Sequence, residues 1–335
     1  MRSANQLKDA AKRRLKTWCI DFGSDDTTVL LAGTGRSGTT WLEEVIDNSH
    51  DHRVLFEPFH SKEVPQLAHW RYRQYLRHSD RDPRYLVPAS RILRGHLHNQ
   101  WADQFNRRLL ARRRLIKDIR ANLLLRWIHE QFPRIRIVLV MRHPCAVAAS
   151  KMALGWQTHL DDFLAQPQLL EDFLAPFASL LESTHDPFER HILLWCVENW
   201  IPLQQFARGQ IHVCFYEHFC LEPEREARAL LDFLDRPFNG SLLEEMRKPS
   251  ALSREESAIC VGDNMIDSWR KHVNDDRIAR TVELLSLFDL DRIYDQASLP
   301  KIDRTLALDA LRVPKVFTDE RDHSLVPQPS VAATL

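Results

Sequence analysis

No run of apolar residues in this chain approaches the ~18 needed to cross a bilayer, and the first residues lack the apolar core of a signal peptide. Neither a membrane span nor a secretory leader is expected. Six cysteines are present without a CxxC pair, several of them inside apolar runs, which fits reduced, buried thiols rather than a disulfide framework or a zinc site. Charge of one sign is also missing. Lys+Arg and Asp+Glu both number 46 in 335 residues, so composition gives no argument for a nucleic-acid partner. A reducing, cytoplasmic setting is the simplest reading. With 44% hydrophobic residues, the chain can bury one large core.

What is present is concentrated at 27–46, TTVLLAGTGRSGTTWLEEVI. A short apolar run reads as a strand buried on both faces. Gly33, Gly35 and Gly38 allow a tight turn, and Leu42, Val45 and Ile46 then recur at helical spacing. A glycine loop that opens a helix holds an anion, because its free amides and the helix dipole both favour negative charge. Against the phosphate-loop pattern GxxxxGK[ST], the stretch GTGRSGTT keeps both glycines and the last hydroxyl, Thr40, but has Thr39 where the lysine belongs. The cation has moved to Arg36. A later strand, 135–141, ends in Arg142 rather than in an acidic metal ligand. The rival of a metal-dependent phosphotransferase therefore lacks both its lysine and its acid.

RSGTTWL, followed by a strand ending VMRHPCAVAASK, resembles the sulfotransferases that use 3′-phosphoadenosine 5′-phosphosulfate. The resemblance implies a P-loop α/β fold, a three-layer sandwich with a central parallel sheet of about five strands flanked by helices. It implies that Arg36, Ser37, Gly38, Thr39 and Thr40 wrap the 5′-phosphosulfate. Arg142 and Ser150, eight residues apart, would hold the 3′-phosphate. Trp41 would stack on adenine with Tyr216 nearby, and no metal would be needed. The Lys-x-His motif of many cytosolic members has Ile119 in place of its histidine, although Lys117 matches its lysine. That departure leaves Glu57, in a hydrophobic-Glu-Pro segment similar to that of Golgi carbohydrate sulfotransferases, as first candidate for the base and Asp118 as second. A salt bridge at a strand end is the alternative for Glu57. The Arg-Lys-Gly motif that cytosolic members place before the late Trp-Lys segment is also absent, 261–264 reading VGDN before Trp269.

The remaining strands are expected at 53–56, 114–119 and 211–216, with helices over 122–131, 188–206 and 224–234 between or after them. Residues 27–298 read as one domain with acceptor-side insertions near 60–112 and 157–187, the first rich in His, Arg, Trp and Tyr. Such side chains suit an acceptor lid, or simply cover a core. His96 and His98 lack a third ligand and make no metal site. Residues 1–26 read as a basic amphipathic helix, packed on the domain or laid on an anionic membrane surface, and 299–335 as a loose tail. The acceptor is expected to be a hydroxyl of a carbohydrate or other polyhydroxylated molecule, with a phenol, sterol or lipid hydroxyl as the alternative. Sequence leaves oligomeric state open.

Overall fold

The computed structural model describes residues 17–240, 242–246 and 264–311. Its centre is a five-stranded parallel sheet: β1 (Thr28–Gly33), β2 (His52–Phe56), β3 (Arg113–Asp118), β4 (Arg136–Met141) and β5 (His212–Phe215), in the order β2-β3-β1-β4-β5. Every residue of β1 is buried, as a strand covered on both faces requires. Alternation along it divides the core in two. Leu30 and Ala32 join Ile116, Leu139 and Phe215 in one apolar cluster, whereas Val29 and Leu31 join Leu115, Val138 and Cys214 in another. Helices close both faces, which makes the three-layer sandwich.

The second cluster takes in Leu42, Val45 and Ile46 from α1 (Thr39–Ile46). The first takes in helices α2 (Pro83–Leu93), α3 (Leu125–Gln131), α4 (Pro144–Met152) and α5 (Pro187–Gln205) through buried residues such as Ile92, Trp127, Val147 and Trp195. After β5 follow α6 (Tyr216–Leu221), α7 (Pro223–Phe233) and α8 (Asp275–Leu287). The chain leaves β1 toward β3 and β2, and leaves β4 in the opposite direction toward β5. A crevice therefore opens between the carboxyl ends of β1 and β4, where such sheets bind ligands. Gly33 pairs in register with Val140 at that point.

The N-terminal helix expected over 1–26 lies outside the described residues as far as 16, and 17–26 forms no α-helix. Ile20–Asp21 pairs in parallel with Leu110–Ala111, and a 3-10 turn follows at Asp25–Thr27. The cause is Asp21, whose carboxylate receives Arg114 Nε at 2.8 Å and Arg114 Nη2 at 2.9 Å. That buried pair draws the segment out alongside the sheet. The tail is also packed further than expected, with Ala307 and Leu308 buried in the first cluster; residues 312–335 lie outside the described set. No helix among the described residues is long and apolar enough to cross a membrane.

Candidate active site

Five strand ends face one edge of the sheet and carry the candidate residues. β1 runs into the loop, where Ser37 N–H donates to the Thr34 carbonyl at 3.0 Å. Arg36 and Gly38 have φ of 77° and 94°. Gly38 is the N-cap of α1, and a Cβ there would lie 2.5 Å from the Tyr216 ring. Glycine is thus required twice over, by backbone and by space. Ser37 Oγ is buried without a hydrogen-bond partner. An orphaned hydroxyl inside a loop at a helix start fits an anion that would accept from it.

The second anchor comes from the next junction. Arg142 follows β4, and Ser150 lies two turns into α4. Arg36 Nε donates to Ser150 Oγ at 3.1 Å. Arg142 reaches the Arg36 carbonyl at 3.4 Å, and its guanidinium sits 4.2 Å from the Tyr216 ring centroid. The two motifs therefore meet. Tyr216 is packed between Gly38 and Arg142, and burial pushes its phenol well above the usual range. Trp41 stands edge-on to Tyr216 and Phe219, its indole N–H donating to the Met246 carbonyl at 3.1 Å.

On the other side of β1, Lys117 and Asp118 end β3, and Glu57 follows β2 with φ 45°. Glu57 is buried, with Oε1 3.2 Å from Lys117 Nζ and Oε2 bonded to Arg120 Nη1. Lys117 Nζ also lies 4.2 Å from the Phe56 ring centroid. Asp118 is differently employed. Its two oxygens accept from the backbone N–H groups of Phe59 and Arg120, each at 2.7 Å. Burial raises its pKa to about 6, against the pull of Arg120. It fastens the segments after β2 and β3 together.

Sequence reasoning passed over Arg120, a partner of Glu57 carried two residues beyond the strand end. The rings beside Glu57 belong mostly to the insertion that the sequence marked as an acceptor lid, without any one of them being singled out. Trp101 Nε1 donates to the Glu57 carbonyl at 3.1 Å. His60 is edge-on to both Tyr72 and Trp101, with centroids 5.2 Å away in each case. Arg120 lies 4.7 Å from the Tyr72 centroid, and His159 is edge-on to Tyr72. Interleaved aromatic and basic residues in the 60–112 insertion were the available signal. Asp47, Asp51 and His52 are close enough together to hold a metal ion, but they lie between α1 and the start of β2, at the opposite edge.

A family model described as "Sulfotransferase family" matches residues 29–240, more than half the chain. The chain belongs to the sulfotransferase family. This sulfotransferase uses 3′-phosphoadenosine 5′-phosphosulfate as donor, in keeping with the family and with the orphaned Ser37 hydroxyl. Similar solved structures include the sulfotransferase domain from the curacin biosynthetic pathway, at 16% identity over 77% of this chain and 96% of that one, TM-score 0.41. The sulfotransferase domain of the Synechococcus PCC 7002 olefin synthase is 14% identical over 77% and 94%, TM-score 0.42. Mouse sulfotransferase SULT7A1, complexed with PAP, is 15% identical over 84% and 90%, TM-score 0.41. No curated protein matches the sequence.

Late in this sulfotransferase, Trp269 stacks on His143 with centroids 4.5 Å apart, next to Arg142. The Met265 carbonyl accepts from Arg142 Nη2 at 3.4 Å. The 265–269 segment thus lies beside Arg142, while 261–263 lies outside the described residues.

Proposed function

We propose that this sulfotransferase modifies a hydroxyl of a carbohydrate or other polyhydroxylated acceptor, with Glu57 as the base. The observation that supports this reading is the buried Glu57 carboxylate held at the strand edge among Trp101, His60 and Tyr72, rings of the kind that stack on sugar faces. The donor supplies a sulfuryl group activated by its anhydride bond to phosphate. Arg36, Ser37, Gly38, Thr39 and Thr40 hold its phosphosulfate, Arg142 and Ser150 its 3′-phosphate, and Trp41 and Tyr216 its adenine side. The loop amides and Lys117 stabilise charge gathering on the leaving phosphate. Glu57 accepts the hydroxyl proton, while Lys117 and Arg120 keep its carboxylate in place. Asp118 is the second candidate, though its oxygens are already engaged by two amides. Buried free thiols at Cys19, Cys145, Cys196 and Cys214 support a reducing, cytoplasmic location.

The test is transfer from labelled donor to a panel of oligosaccharides, polyols, phenols and sterols, with and without EDTA. Turnover on sugars that survives EDTA is the expected result. Labelling confined to phenols or sterols would overturn the acceptor class, and loss of all turnover with EDTA would overturn the metal-independent reading. Unchanged turnover in Glu57→Gln would remove the base.

A further inference from the structure

The short ladder beside the main sheet has its polarity reversed. Cys19 is buried, and the Asp21 side chain points inward to its arginines. Trp18, Ile20 and Phe22, at the alternate positions, are 76%, 61% and 64% exposed. Leu110 is the register partner of Ile20, and it and Leu109 are 55% and 65% exposed. By strand alternation Trp18, Ile20, Phe22 and Leu110 share the outer face of one two-stranded ladder, with Leu109 exposed beside them, where isolated exposed residues would need no explanation but a group on one face does. The rim is basic. Arg107, Arg108 and Arg112 flank the two leucines and are all exposed.

We propose that this face docks on an anionic lipid bilayer. Aromatic and aliphatic side chains beside cations are what the bilayer interface takes up: the rings enter the headgroup boundary and the arginines meet lipid phosphates. Charge selects this occupant over two others. A second copy docking face to face would bring arginine against arginine. The chain's own residues 1–16 carry Lys8, Lys12, Arg13, Arg14 and Lys16, so covering the face with them would also oppose like charges. The face is built by the chain before β1 and just before β3, away from the strand ends that carry the catalytic candidates, so docking leaves that edge open.

The experiment is co-sedimentation of the full chain with vesicles of phosphatidylcholine alone or with added phosphatidylserine, at low and high salt. Binding to the anionic vesicles only, weakened by salt, is expected. Arg108→Gln with Arg112→Gln should lower partitioning by about 30-fold, from roughly two arginine increments, and Ile20→Ser, Phe22→Ser and Leu110→Ser together should abolish it. Retained affinity for adenosine 3′,5′-bisphosphate shows that each variant is folded. Absence of binding to anionic vesicles, or equal binding by the folded variants, overturns the proposal. So does concentration-dependent dimerisation that these variants abolish while vesicle binding persists.

Discussion

Arg36 Nε donates to Ser150 Oγ across 3.1 Å, joining the loop after β1 to the second turn of α4. Two motifs more than a hundred residues apart in the chain thus meet in one hydrogen bond. Ser150→Ala should weaken adenosine 3′,5′-bisphosphate binding by about 10- to 100-fold, the range for a hydrogen bond to a charged group. Arg36→Ala should cost at least as much. The double variant should fall short of the product of the two effects, because the residues share one network. Calorimetry on the three variants checks this; an unaltered affinity in Ser150→Ala would detach that residue from donor binding.

Glu57 sits between two cations, so its replacement should affect both rate and stability. Glu57→Gln should reduce kcat by roughly 100- to 10,000-fold, as for a lost general base. Leaving Lys117 and Arg120 buried without their counter-charge should also cost about 3–5 kcal/mol of folding stability. Glu57→Gln combined with Arg120→Met should recover much of that stability but none of the rate. Denaturant unfolding and single-turnover transfer separate the two. Recovery of rate along with stability would make Glu57 a structural anion only.

β1 and β4 were legible because each is a short apolar run buried on both faces; β4 was expected at 135–141 and occurs at Arg136–Met141. The loop was legible because glycine and hydroxyl spacing is set by backbone geometry. Arg120 was not, since an ion pair across two strand ends depends on sheet order, and β3 lies between β1 and β2. Nor was the ladder at Ile20–Asp21. Residues 1–26 read as one amphipathic helix, and the period of two at Trp18, Ile20 and Phe22 becomes decisive only once Arg114 holds Asp21.

Gly38 should be close to irreplaceable. At φ 94°, a side chain is strained by about 1–3 kcal/mol, and its Cβ would press on the Tyr216 ring. Gly38→Ala should lower the midpoint of unfolding and sharply reduce product affinity. Tyr216 itself is placed on the adenine side, so the double variant is compared with Tyr216→Ala alone: with the clash gone but the backbone strain kept, it should regain only part of that variant's affinity. Full recovery would mean that the collision alone mattered.

Lys151 follows Ser150 and is buried, and its Nζ has no hydrogen-bond partner. Burial lowers its pKa from 10.5 to about 8, partly offset by Glu198. Because the folded pKa lies below the unfolded one, the unfolded chain binds more protons between pH 8 and 10.5, and stability contributed at this site rises with pH through that window. Below pH 8 the penalty is fully present, on the order of 3 kcal/mol. Arg73 already pairs with Glu198, so Lys151→Met leaves that carboxylate with a partner. The variant should therefore be more stable than the parent at pH 7, by up to about 3 kcal/mol, with the advantage shrinking as pH rises toward 10.5. Urea unfolding at pH 7, 9 and 10.5 measures it. A variant less stable at pH 7 would show that the attraction of Glu198 outweighs the cost of burying the ammonium.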